Sequence, residues 1–373
     1  MADSRIEKFA KVLVNYSLSL RKGDLFQIRG TPASEQLVRE VFREAVQRGA
    51  NPFVDILVDG LDEIVYKQGS EKQIRYISPL AIQKIKTIDA TLGILASANT
   101  KGLSGVNPKR LSWAQIARKP IMEIFMNRSA KGKLRWCLTQ FPCQASAQDA
   151  EKSLSEYEDF VYEAGFLNDP NPVQRWQRLS KQQKKLANHL NKTREIRIRT
   201  ENTDLTVGVK GRTWINCDGK LNFPDGEVFT GPVEHSVNGH VRFSFPAVHL
   251  GREVSGIRLT FEQGKVVKAE AEKGEDFLQT ILKTDSGASY LGEFAIATNY
   301  AIQTYSRNTL FDEKIGGTIH MALGKSYPES GGKNTSGVHW DIVCDLRRGG
   351  EIWADGELLQ RNGRFVSREF PQP

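Results

Sequence analysis

Near residue 194 the spacing of apolar residues changes period, and that change limits the folds open to this chain more than any other feature. Before it, Ile6, Phe9, Ala10, Leu13 and Val14 fall at i, i+3, i+4, i+7 and i+8 behind a cap at Asp3 or Ser4, and DLFQIRG (24–30) follows as a strand. Leu37, Val38, Val41, Phe42 and Ala45 repeat the helical spacing, and PFVDILV (52–58), TLGILAS (91–97) and LRWCLTQ (134–140) read as further strands. Strands joined by helices predict a largely parallel sheet covered on both faces. The stretch SAQDAEKSLSEYEDFVYEAG (146–165) reads as one more helix. Beyond the change, EIRIRT, DLTVGV, RTWIN, HVRFSFP and EVSGIRLTFEQGKVVKAEAEKG have a period of two and are broken by Gly, Asn and Asp turns. That half is expected to be antiparallel and β-rich, with a few helices.

At 373 residues the chain is too long for one comfortable core, and the clearest breaker cluster is NDPNP (168–172). The expected organisation is an α/β N-terminal domain with a largely parallel sheet (1–170), a basic linker helix (171–195) and a β-rich α+β C-terminal domain (196–373). The net charge of +8 is concentrated: residues 171–200 hold nine Lys or Arg against one acid, Glu195, so the remainder balances to zero. Trp176, Leu179, Leu186 and Leu190 form one stripe of that segment with the lysines mostly elsewhere, which is the pattern of a solvated helix face. Trp176 is its one aromatic residue and lies on the apolar stripe, so a base-stacking platform is missing and nucleic acid is not an expected partner. No run of eighteen apolar residues is present, the first residues do not read as an export leader, and Cys137, Cys143, Cys217 and Cys344 form no CxxC pair. A soluble cytoplasmic protein with no membrane contact is expected.

The chemistry-bearing residues cluster late in the chain. In SGVHWD (336–341), His339 and Asp341 share one face of a strand while Trp340 points the other way, so one nitrogen and one oxygen can reach the same ion. TIHMALGKSYPES (318–330) adds His320 and Tyr327, and Glu313 precedes His320 across Gly316 and Gly317, where the chain can turn. Glu293 in SYLGEFAIATN and Glu227 in NFPDGEVFTGP each adjoin an apolar run, where a carboxylate is costly to bury unless paired or bound to metal. Imidazole and carboxylate without thiolate suit zinc, cobalt, manganese or iron(II). His189, His235, His240 and His249 lack such partners, no glycine-rich stretch forms a phosphate loop, and no GxSxG elbow places a serine nucleophile.

The ordered set PDGEVFTGP, LGE with its apolar run and TN, a Glu ahead of GGTIHMALGKSYP, and SGVHWD resembles the thermophilic-type metalloaminopeptidases, the M29 peptidases. The resemblance implies that Glu227, Glu293, Glu313, His320, His339 and Asp341 bind two divalent metal ions (Zn, Co, Mn or Mg). Glu293 then doubles as a catalytic group, and Tyr327 is the active-site tyrosine. Some relatives place four residues between the glutamate and histidine equivalent to Glu313 and His320, whereas this chain has six. The implied function is removal of N-terminal residues from small peptides by an activated water, in a homodimer whose N-terminal domain and partner enclose the site. A second reading uses His320, His339 and Asp341 as the two-histidine, one-carboxylate set of a non-haem iron enzyme, since ring-cleaving dihydroxypyridine dioxygenases resemble the same peptidases. Glu227 and Glu293, which one iron would not require, favour the peptidase.

Overall fold

Parallel pairing joins every neighbouring pair of the first sheet, whose strands run in the order Asn51–Ile56, Leu25–Gly30, Ala90–Leu95, Arg135–Gln140 and Asn222–Phe223. The computed structural model describes residues 3–373. Phe26, Ile28, Ala90, Leu92 and Ile94 are buried, as central parallel strands require. The edge strand Asn51–Ile56 is only half covered, so burial on both faces holds for the middle of the sheet and not for its rim. The sheet belongs to a unit comprising Met1–Val173 and Lys220–Phe223; the second unit comprises Gln174–Gly219 and Pro224–Pro373.

The first helix, Ser4–Val12, is capped by the Asp3 carboxylate, which accepts from the Arg5 backbone N–H at 2.8 Å, and it buries Ile6, Phe9, Ala10 and Val12. The single helix expected over 146–165 is two, Gln144–Asp149 and Leu154–Ala164. Ser153 and Glu156 form a reciprocal capping box that starts the second helix, and Glu151 takes a φ of 55° before it. The S-x-x-E signal outweighs the continuous helical period there.

In the second unit, the basic segment forms the helix Pro172–Leu190, whose Leu186, Ala187 and Leu190 enter the unit's core while Arg178, Lys181, Lys184 and Lys185 are exposed. Its two larger sheets are antiparallel. One has eight strands; the other has five, in the order His339–Asp345, Thr318–Gly324, Leu291–Ala297, Glu227–Thr230 and Ile215–Cys217. Phe294, Ile296, Ile319, Met321, Leu323, Trp340, Ile342 and Cys344 alternate onto one face of this five-stranded sheet and join the core with Ile196, Ile198 and Leu205 of the larger sheet. Each such large side chain contributes about 1.5–3 kcal/mol by leaving water, which fixes the register and hence what the opposite face presents.

Candidate metal centre

Register delivers the polar face. Glu293 stands opposite Ala322, which stands opposite Asp341; Ala295 stands opposite His320; Ala297 stands opposite Glu227; and Gly324 stands opposite His339. These positions share one side of the pleat. On at least one neighbouring strand, alanine or glycine faces each of these ionisable groups, leaving space for charged side chains to converge. The strands Leu291–Ala297 and Thr318–Gly324 are buried at every position, so Glu293 and His320 are enclosed although they lie on the polar face.

Two groups of ligand atoms result, Glu227 with Glu293 and His320, and Glu293 with His339 and Asp341, and within each group the atoms lie within 4.8 Å of one another. Glu293 spans both: Oε1 lies 3.2 Å from His320 Nε2 and Oε2 lies 3.6 Å from His339 Nε2. Asp341 Oδ2 is 3.5 Å from His339 Nε2. Glu227 Oε2 is also 3.5 Å from His320 Nε2, yet it is buried without a hydrogen-bond partner, so that approach is an electrostatic contact only.

Both imidazoles are oriented from behind. His320 Nδ1 lies 3.1 Å from the Glu313 carbonyl and His339 Nδ1 lies 2.9 Å from the Lys325 carbonyl. A carbonyl only accepts, so each Nδ1 carries the hydrogen, and in the neutral ring each Nε2 lone pair faces the carboxylates. This is the arrangement a metal-binding histidine uses. The turn that brings Glu313 back to His320 depends on two glycines: Gly317 has a φ of 88°, and a Cβ on Gly316 would stand 2.5 Å from the Tyr300 Cα.

The electrostatics are those of a cation site. Burial opposes a charged His320, but Glu227, Glu293 and Glu313 outweigh it and push the imidazole up to about 10. Burial, then the Glu313 carboxylate, pushes Asp341 up to about 7. His339 is raised because Asp341 and Glu293 overcome its desolvation. Each shift expresses surplus negative charge that protons relieve when no other cation is present. The donor set of imidazole nitrogens and carboxylate oxygens, together with the orphaned Glu227 Oε2, fits divalent metal.

Glu313 belongs to neither group; its Oε2 is held by Lys314 Nζ at 2.5 Å, and its charge weighs on Asp341 more than any other. Tyr327 lies at the border of the cluster, with its ring centroid 5.3 Å from that of His339 and 5.5 Å from that of Phe229. It is 38% exposed, yet burial and then Glu293 and Asp341 push its hydroxyl above the ordinary phenol range, so it stays a neutral donor. Of the other four histidines, His189 packs on Phe370, His235 on Tyr290 and His249 on Trp340.

Sequence reasoning missed three members. Asp225 reads as a turn residue in Pro-Asp-Gly, but it is 1% exposed, and burial pushes it up to about 8 against the opposing charge of Lys314. Cys217 faces Glu227 across a strand pair, and its sulfur lies within 4.8 Å of Asp225 and Glu227 oxygens. Lys314 is 1% exposed; in LFDEKIGG it follows Asp312 and Glu313 and carries no sequence signal of burial. Gln183, buried on the Pro172–Leu190 helix, donates to the Cys217 and Glu227 carbonyls at 2.9 and 2.6 Å and so holds these two strands.

Known proteins with this sequence pattern are peptidases. The family described as thermophilic metalloprotease (M29) matches residues 2–365. Aminopeptidase AmpS of Bacillus subtilis is 27% identical over 97% of this chain and 98% of its own length, and aminopeptidase T of Thermus thermophilus is 28% identical over 97% and 98%. The solved structure of wild-type AmpT from Thermus thermophilus superposes with a TM-score of 0.85 at 26% identity, covering 98% of this chain and 99% of that one. A 2,5-dihydroxypyridine dioxygenase from Pseudomonas putida shares the fold, with a TM-score of 0.63 at 13% identity over 99% of both chains. Since the family match runs over nearly the whole sequence, the chain belongs to the thermophilic metalloprotease (M29) family.

Proposed function

We propose that the protein is a metal-dependent aminopeptidase in which Glu227, Glu293 and His320 hold one divalent ion and Glu293, His339 and Asp341 hold a second. Glu313 contributes to the second through the oxygen that Lys314 leaves. The observation that carries this reading is the shared Glu293 carboxylate, with one oxygen toward each imidazole. Charge supports two ions: Glu227, Glu293, Glu313 and Asp341 are four carboxylates against the Lys314 ammonium, a surplus of three that one divalent cation does not neutralise. Zinc, cobalt, manganese or magnesium meets that requirement. When bound, such ions lower the pKa of water and polarise a carbonyl oxygen. Glu293 takes the proton of the attacking water, and the neutral Tyr327 hydroxyl donates a hydrogen bond to the oxyanion that develops on the scissile carbonyl.

Small peptides are the substrates in this reading, and a homodimer in the cytoplasm is the working form. The helix Pro79–Thr87 buries none of its residues and the helix Pro108–Ala130 only Ala114, while Leu80, Met122 and Met126 are more than half exposed, which supports a covering partner. Cys137, Cys143, Cys217 and Cys344 form no disulfide, which suits a reducing compartment. Among the described residues no helix is long and apolar enough to cross a membrane.

Protein stripped of metal should lose hydrolysis of aminoacyl amides and regain it with zinc, cobalt or manganese; full activity without metal would refute the proposal. A single iron would use His320, His339 and Asp341 and leave Glu227 without a task. Iron-dependent oxygen uptake without peptide hydrolysis would instead establish the ring-cleaving alternative.

A further inference from the structure

We propose that Lys314 is a built-in cation that fills what would otherwise be a third metal site. By holding one oxygen each of Glu227 and Glu313, it positions their other oxygens for the two ions. This rests on the metal-dependent reading above.

Lys314 Nζ lies 2.5 Å from Glu313 Oε2 and 3.4 Å from Glu227 Oε1, and the side chain is 1% exposed. The other Glu227 oxygen, Oε2, is the buried atom with no hydrogen-bond partner that faces His320. An ammonium accepts nothing, so its approach to one oxygen of each carboxylate leaves the other oxygen the less encumbered ligand. Around the same ammonium stand Asp225 and Cys217, and the Cys217 sulfur and the Asp225 and Glu227 oxygens lie within 4.8 Å of one another. Thiolate with two carboxylates is a donor set that zinc or cobalt accepts. A buried ammonium is expensive unless its charge is needed, and an apolar side chain of similar volume would serve a purely structural role as well or better. Here the need is visible: without the ammonium, Glu227 and Glu313 would lose the cation that both touch, and Asp225 the opposing charge that acts on it most.

The test compares wild type, Lys314→Met and Lys314→Arg after dialysis against cobalt(II), counting cobalt per chain and recording the near-ultraviolet absorption that a cobalt–thiolate bond produces. Wild type and Lys314→Arg should bind two ions and show no such band. Lys314→Met should bind one more ion, with the Cys217 thiol giving up its proton to ligate it, and should show the band; the band should vanish in Lys314→Met/Cys217→Ser. Recovery of folding by Lys314→Met only when cobalt is supplied would likewise support the proposal. Two ions and no band in Lys314→Met, with melting temperature lowered equally in loaded and ion-free protein, would reduce Lys314 to a structural residue. So would a variant that fails to fold even with cobalt. Wild type that binds no divalent ion would refute the metal-dependent reading itself, an outcome distinct from either.

Discussion

Replacing Glu293 with glutamine keeps its volume, removes one charge and replaces one acceptor oxygen by an amide donor. The geometry makes this severe. The carboxylate places one oxygen 3.2 Å from His320 Nε2 and the other 3.6 Å from His339 Nε2, so whichever way the amide turns, its NH2 meets an imidazole nitrogen meant for an ion. Loss of the base alone should reduce turnover by roughly 10²–10⁴-fold, equivalent to about 3–5 kcal/mol in the barrier. Because the same group is shared by both proposed ion positions, affinity for each ion should fall as well, by at least the roughly 10–100-fold seen when a mere supporting group is lost. Steady-state hydrolysis of an aminoacyl amide at saturating metal isolates the first effect, and calorimetric titration of ion-free protein measures the second. Turnover within about threefold of wild type, with unchanged ion affinity, would show that Glu293 neither bridges nor acts as base, and the reasoning from its position would fail.

Tyr327→Phe should lower turnover by roughly 10²–10³-fold, the cost of one oxyanion donor, with ion affinity unchanged; a parallel loss of affinity would mean that the hydroxyl serves the metal centre instead. For pH, Asp341 and His320 both hold protons more tightly in the ion-free folded protein than their ordinary values of 3.8 and 6.5, being raised to about 7 and about 10. The folded state therefore binds protons that the unfolded chain has released, and these groups stabilise the ion-free protein less as pH rises, from 3.8 to about 7 for Asp341 and from 6.5 to about 10 for His320. Ions replace those protons, so the gain in melting temperature on adding zinc should grow between about pH 6 and about pH 8; a gain that is flat or shrinks over that interval would contradict the electrostatic account.

The period change near residue 194 was enough to separate a parallel α/β half from an antiparallel half, because periodicity records which faces are buried. It could not show that residues 220–223 return to pair with the first sheet, since Asn222–Phe223 is too short to carry a period. In the candidate metal centre, the shared strand face of His339 and Asp341 was legible from their spacing. Their meeting with Glu293 depends on register across three strands, which no local pattern encodes. Lys314 and Asp225 were missed for a different reason: in sequence each resembles an ordinary solvated charge, and only burial reveals that neither touches water. Glu313, expected among the ligands, has one oxygen held by the lysine that follows it.

The central claim is that this one cluster holds two divalent ions around a shared Glu293. Crystals of the zinc- or manganese-loaded protein, with anomalous scattering collected at the metal edge, test it directly. The account predicts two anomalous peaks per chain, one ligated by Glu227, Glu293 and His320 and the other by Glu293, His339 and Asp341 with Glu313. A single peak ligated only by His320, His339 and Asp341, or peaks away from Glu293, would contradict it.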